Sequence, residues 1–380
     1  MDIPVLKPYF SKKEIARLKE DLAKILTSRR FILGPYSLAF EEKFAHLIQS
    51  KFAVAINTCT SALMACLNYY KVEGKEVIVP ANAFISDPNV VLYEKGTPVF
   101  CEVDPKTLSL DPRDLEKRIT KKTRAVIVVH IGGLITPDIY EIKKICEKND
   151  LILIEDCAHS LGATLNGTAA GAFGHASCFS FYPTKVITTM VGGMVVTDDE
   201  GLMRHVKSIR FFGSDANDLF KIVNFGNDWL LDEFRCALGL SQLRQLDEII
   251  KKKGRIAAYY DKRLKNMQGV TLMEQPANSV NPYYRYITYL DEGIDRDALV
   301  RIFKEKHHIQ LSRVYVPCHL HPVYKNNFGY KENDFPITEK ALTRSLTLPI
   351  YPEMTLRQAS VVVSALKEEL GSLRASRRTS

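Results

Sequence analysis

The chain has 380 residues, 46% of them apolar, and a formal net charge of +8 at pH 7. That length suits one large α/β unit plus a smaller one, and no apolar run approaches the ~20 residues that a membrane-spanning helix needs. The basic residues are spread along the chain, with Lys251 to Lys253 and Arg374 to Arg378 as the only clusters, so solvated surfaces are expected rather than a nucleic-acid interface.

A mildly positive field would still attract an anionic small substrate. Met1 to Pro8 is followed by charged SKKEIARLKEDLAK, not by the apolar core of a signal peptide, which predicts a cytoplasmic protein. The eight cysteines form no CxxC pair and mostly fall inside apolar elements. They read as buried free thiols, not as disulfides or a zinc site.

In chain order, an amphipathic helix is predicted from Ser11 to Leu26 with Ser11 as its cap, then a turn at Gly34 and Pro35 into a second helix. Phe52 to Ile56 is β-like and runs straight into a helix that opens NTCTSALMAC. Thr58, Thr60 and Ser61 there place hydroxyls beside free backbone N–H groups and a positive dipole end, which suits a phosphate. Such residues also cap helices routinely. Next come a strand at Glu76 to Pro80, a helix carrying Phe84, strands at Pro98 to Val103 and Ala125 to His130, a helix from Asp138 to Lys148, and the strand LILIED, which ends in Asp156. This alternation predicts a parallel sheet covered on both faces, with ligands outside the carboxyl ends of its strands.

The run CFSFYPTKVITTMVGGM, Cys178 to Met194, begins as a strand and breaks at Pro183. Lys185 therefore sits just past a strand end, bracketed by Gly192 and Gly193 and the next strand, where an amine can be desolvated and held to form a Schiff base. The alternative is an ordinary loop lysine. Beyond Gly201 a single helix from about Leu231 to Lys252 leads out of a large domain (residues 1–250) into a smaller α+β domain (251–380). There YYRYITYL reads as a strand, RDALVRIFKEK as a helix, VYVPCHLHPVY as a strand and loop, and a last helix follows Pro352. Cys318, His319 and His321 are soft ligands, but on a strand-like stretch neighbours face opposite ways and no second pair is evident, so no metal site is expected.

Taken together, Thr60 and Ser61, the aromatic Phe84, Asp156 with His159 three residues later, and SFYPTK (Ser180 to Lys185) form a set suited to pyridoxal phosphate. The sequence resembles the DegT/DnrJ/EryC1/StrS family of sugar aminotransferases, including its perosamine-synthase-like nucleotide-sugar enzymes. The similarity runs from IPVLKPYFSKKEI through FILGPYSLAFEEKF, NTCTSALMAC, VIVPANAFIS, LIEDCAHSLGA and SFYPTKVITTMVGG to DEFRCALGLSQLRQLDEI, with VPCHLHPVY and LTLPIYPEMT later. The resemblance implies fold type I of the pyridoxal-phosphate enzymes: a large domain with a mostly parallel sheet covered by helices, plus a smaller C-terminal α+β domain.

It further implies that Lys185 is the Schiff-base lysine and proton relay, that Asp156 pairs with the pyridine nitrogen, and that His159 contacts the ring's oxygen substituent, a core histidine being the rival reading. Phe84 would stack on the ring, unless it is a plain core phenylalanine, and Thr60, Ser61 and Ser180 would contact the phosphate. Arg313 or His319 would touch the sugar. In relatives an Asn before the DE-containing helix reaches a neighbouring subunit's phosphate; here Asp228 occupies that register and would repel a phosphate, so either Asn227, one before it, takes the cofactor contact, or the loop shifts, or the contact is absent. The TTMVGG turn is a second departure, on the substrate side.

The implied function is amine transfer, with glutamate as donor, to a ketone of a nucleotide-linked deoxysugar, by a homodimer that needs neither nucleic acid nor membrane. Alternatives are a keto-cyclitol or free keto sugar as acceptor, a sugar dehydratase of the same family, and a cofactor-binding regulator without turnover.

Overall fold

The computed structural model describes residues 2–215 and 217–378, with side chains described through Leu373, so the basic run Arg374 to Arg378 lies outside the described side chains. Thirteen strands are numbered in chain order: β1 (Phe52–Ile56), β2 (Glu76–Pro80), β3 (Thr97–Cys101), β4 (Thr123–Val129), β5 (Ile152–Asp156), β6 (Thr164–Leu165), β7 (Thr168–Ala169), β8 (Ala176–Ser180), β9 (Gly193–Thr197), β10 (Val270–Leu272), β11 (Ser279–Val280), β12 (Tyr286–Leu290) and β13 (Ser345–Leu348). Seven of them form one sheet in the order β1-β9-β8-β5-β4-β2-β3. Only β9 runs against its neighbours; the pairs from β8 through β5, β4 and β2 to β3 are parallel.

These strands are short and apolar because both faces of the sheet are covered. On one face Val54, Ile56, Val79 and Ile127 pack with the helix Cys59–Tyr69. On the other, Ala53, Ile78 and Val128 meet an aromatic knot in which Phe44 lies 4.9 Å from Phe179 and 5.6 Å from Phe181. The mostly parallel sheet and helical layers match the expected fold class. The strand ends that carry ligands in such sheets all open on one side, after Ile56, Pro80, Val129, Asp156 and Ser180.

Three local expectations differ from what is found. Phe84 precedes the helix Ser86–Tyr93 instead of riding on it. The helix predicted from Leu231 to Lys252 is two helices, Glu233–Leu243 and Leu246–Leu264. At the break Arg244 turns to Glu14 (2.7 Å), and Gln245 accepts the Ser11 N–H (2.8 Å), so the N-terminal helix Lys12–Ser28 pins the bend. The VYVPCHLH run is no strand: Cys318–Leu320 is a 3-10 turn followed by the helix Pro322–Phe328.

A second sheet, β10-β12-β13, belongs to a third core that includes Ile256, Tyr260, Phe303, Leu348 and Leu366. Ile3 joins this core and pairs with Ile309, so the first residues pack with the C-terminal part of the chain. The helix Leu246–Leu264 spans both bodies, with Leu246 and Ile249 in one core and Ile256 to Leu264 in the other. Residue 250, taken as the boundary, therefore falls inside a continuous helix.

Candidate active site

The site is built on the carboxyl ends of β1, β5 and β8. Period-2 alternation in LIED sends its two acids to opposite faces. Glu155 turns into the protein, where it accepts the N–H groups of Gly171, Phe173 and Gly174 at 2.9, 2.7 and 2.7 Å and bonds His130 at 2.9 Å. Asp156 turns toward the site and is almost wholly buried. It accepts the Ala158 N–H at 2.8 Å and faces the Cys59 thiol at 3.9 Å. Burial pushes its pKa up, against the Ala158 N–H, Lys185 and Asp87, which pull it down.

β1 ends at the first turn of the helix Cys59–Tyr69. Thr58 is its cap, accepting the Ser61 N–H at 3.0 Å, and the Ser61 hydroxyl donates to Asn57 at 2.7 Å. Thr60 and Ser61 occupy that turn, and the register Ile56–Gly193–Ser180 sets Ser180 across β9 from it. A Cβ on Gly193 would lie 2.4 Å from the Thr58 carbonyl carbon, so only glycine lets β9 pass this close to the turn. This accounts for the second glycine of the MVGG run.

After Ser180 the chain loops through Lys185. The loop is laced: the Phe181 N–H donates to Gly192 (2.9 Å), the Thr189 N–H to Phe181 (3.0 Å) and the Lys185 N–H to Tyr182 (3.0 Å). The Lys185 Nζ lies 4.7 Å from the centre of the Tyr284 ring, whose hydroxyl is 3.2 Å from Thr184. Burial raises the Tyr284 phenol, but Lys185 and Arg285 outweigh it and leave its pKa below the ordinary value.

His159 is buried and its ring stacks 4.2 Å from that of Tyr284. Nδ1 accepts the Gly132 N–H at 3.4 Å, so Nε2 carries the proton and donates to the Tyr315 hydroxyl at 2.9 Å. Burial first, then Lys185 and Arg285, hold its pKa well below the usual histidine value, and it is neutral. Phe84 is half-exposed, with its ring 5.5 Å from Tyr315.

The structure thus sets Asp156, His159, Lys185, Phe84, Ser180, Thr60 and Ser61 together on the carboxyl-end side of the sheet. Asn227, Arg313 and His319 are not among them. Asn227 is exposed, its backbone tied to Ile209 and Phe212. Arg313 is exposed too, and its charge acts on Asp297. His319, offered as a sugar contact, is fully buried, bonded to Glu339 at 3.0 Å and packed 4.7 Å from Phe335, because the 3-10 turn points it into the core.

Four residues beside this set escaped sequence reasoning: Asp87, Tyr284, Arg285 and Tyr315. Arg285 stacks its guanidinium over Tyr284 and Tyr315 at 5.3 and 5.8 Å and donates to Ser312 at 2.9 Å, while its buried Nε has no partner. An arginine in the YYRY run just before a strand was the available signal.

The family match and the comparison with solved structures define the class, a pyridoxal-phosphate-dependent aminotransferase. S. venezuelae DesV in complex with a ketimine intermediate superposes with a TM-score of 0.88 at 30% identity, over 94% of this chain and 95% of that one. The chain belongs to the DegT/DnrJ/EryC1/StrS aminotransferase family, which it matches over residues 12–367. It is 32% identical to the spore coat polysaccharide biosynthesis protein SpsC of Bacillus subtilis, over 96% of each chain. It is 31% identical to the GDP-perosamine synthase of Caulobacter vibrioides, over 89% of this chain and 91% of that protein.

Proposed function

We propose that the protein transfers an amino group from glutamate to a keto group on a nucleotide-linked deoxysugar, with Lys185 as the reacting amine. The observation that carries this is the placement of Lys185, on the loop after β8, beside Asp156 at the end of the neighbouring β5, close enough for its charge to act on that carboxylate, with His159, Tyr284 and Tyr315 alongside. The residues fit pyridoxal phosphate: an anion at Asp156 for a ring nitrogen, a hydroxyl-rich helix N-terminus for a phosphate, a neutral histidine for a ring oxygen, and Gly193 leaving room beside that turn. When bound, the cofactor supplies an electron sink for carbanion charge.

The chain's own residues do the rest. Asp156, buried with one oxygen held by Ala158, keeps its negative charge aimed at one atom. Thr60, Ser61 and Ser180 offer donors to the phosphate. Lys185, carried on a laced loop, moves a proton between the reacting carbons. Arg285 and the net charge of +8 favour an anionic substrate, and a diphosphate-linked sugar is one. The GDP-perosamine synthase relative supports a nucleotide sugar over a free one.

The working unit is a homodimer. The segment from Phe212 to Phe225 exposes Phe212, Leu219, Phe220, Ile222, Val223 and Phe225, with Phe220 97% and Phe225 105% accessible. Bare aromatic surface of this kind marks a protein contact, and a second copy would cover it. Asn227, at the base of this flap, would then be offered to the partner's site. Among the described residues, no helix is long and apolar enough to cross a membrane.

The test is an absorbance spectrum with pyridoxal phosphate before and after glutamate, followed by a panel of nucleotide-linked keto sugars, keto-cyclitols and free keto sugars. Glutamate should convert the cofactor band, and one nucleotide sugar should restore it. Restoration only by a cyclitol or free sugar would replace the proposed substrate, and no spectral response to glutamate would remove the donor.

A further inference from the structure

Asp87 lies in the first turn of the helix Ser86–Tyr93 and is completely buried. Its carboxyl lies close enough to that of Asp156, itself buried, for each to act directly on the other. Two carboxylates buried against one another do not both ionise readily, so one carries a proton. The surroundings choose which. Asp156 receives a backbone N–H from Ala158 at 2.8 Å, a donor that favours the anion. Asp87 receives only the Ser86 hydroxyl, at 3.2 Å on Oδ1, and no protein donor reaches its buried Oδ2.

That oxygen is where a proton must sit. The other titratable groups facing Asp87 do not change the choice. Lys185 favours the ionised form of both acids alike, while the thiols of Cys59 and Cys318 and the phenols of Tyr315 and Tyr324 are all shifted upward by burial and stay neutral. Burial and then the Asp156 charge push Asp87 well above the carboxylate range.

We infer that Asp87 is a positioning residue for the cofactor ring: as a neutral acid it donates to Asp156 and holds that carboxylate toward the pyridine nitrogen. The donated bond also lowers the basicity of Asp156, so a proton shared with the ring nitrogen stays on the ring. The inference rests on Asp156 facing that nitrogen, and the experiment separates the two ideas.

Infrared spectra of the cofactor-free protein at neutral pH should show the carbonyl stretch of a protonated carboxylic acid, lost in Asp87→Asn and kept in Asp156→Asn. Pyridoxal phosphate binding is then measured by fluorescence quenching. Asp87→Asn retains a donor and should bind within about threefold of the parent, whereas Asp87→Leu should bind about ten- to a hundredfold more weakly. Absence of the protonated band in the parent, or its survival in Asp87→Asn, overturns the inference. So does unchanged binding by Asp87→Leu while Asp156→Asn is weakened. If Asp156→Asn itself binds normally, it is the placement of Asp156 that fails. Thermal melting of each variant shows that it is folded, and Asp87→Asn carries the test if Asp87→Leu is not.

Discussion

The floor of the site and the flap from Phe212 to Phe225 are opposite kinds of structure. On the floor, Asp156, His159 and Asp87 are buried and each polar contact is fixed by strand ends and a helix turn. The flap from Phe212 to Phe225 is held by a few backbone bonds, such as Val223 to Gly213 at 2.8 Å, and leaves its aromatic side chains bare. The first buries its side chains within this chain; the second packs Phe212 against Phe211 at 5.3 Å but leaves Phe220 and Phe225 open to solvent. Chemistry that tolerates little misplacement is assigned to the buried part.

The largest effect is expected where the floor meets the reacting atoms. Lys185→Ala should still bind the cofactor but lose turnover by about a thousandfold or more, with loss of the visible band of lysine-bound pyridoxal phosphate. Near-parental turnover by this variant would detach the chemistry from the floor altogether. Asp at Phe220 and Phe225 together should break the proposed dimer, seen by sedimentation, and lower turnover about ten- to a hundredfold at dilute protein while the folded monomer persists. A variant that stays dimeric would show that these aromatic side chains do not form the subunit contact.

Much of the floor could be read from sequence because its parts are local. β8 ends at Ser180, with Pro183 barring its continuation toward Lys185, and alternation in LIED decides which acid turns outward. The wall could not be read this way. Tyr284, Arg285 and Tyr315 come from segments 99 to 130 residues from Lys185, and only packing shows that they meet it. Asp87 looks locally like any acid in the first turn of a helix, a common and bland arrangement; its meaning comes from Asp156, 69 positions away in sequence. His319 misleads for the same reason, since the Glu339 and Phe335 that bury it lie beyond the CHLH run.

A smaller effect should come from Glu233, where the flap gives way to rigid structure. Its carboxylate accepts the N–H groups of Gly34, Tyr36 and Ser37 at 3.0, 2.9 and 2.8 Å, capping the helix Pro35–Ile48. Glu233→Ala would leave those donors unpaired in a buried place and should cost about 3 kcal/mol of stability by denaturant unfolding. Glu233→Gln keeps an acceptor and should cost less. Equal losses in the two would show that side-chain volume, not capping, is what matters.

Lys253 tests the floor from beneath. It lines a small cavity with Thr184, Lys185, Tyr9 and Ile350, on the helix that joins the two bodies. Burial alone pulls its pKa down to about 7. In the unfolded chain the amine would titrate near its usual value, about 10.4. Between those values the unfolded state holds one proton more, so stability rises with pH through that window, by at most about 1.4 kcal/mol per pH unit. Below about pH 7 both states are charged and the cost of burying the ammonium is fully present; above about pH 10.4 both are neutral and it is gone. Lys253→Met should therefore gain stability over the parent most at pH 6 to 7, with the gain shrinking toward pH 10 in urea unfolding. A gain that does not change with pH would mean that the folded amine keeps its charge, held by a partner on the floor.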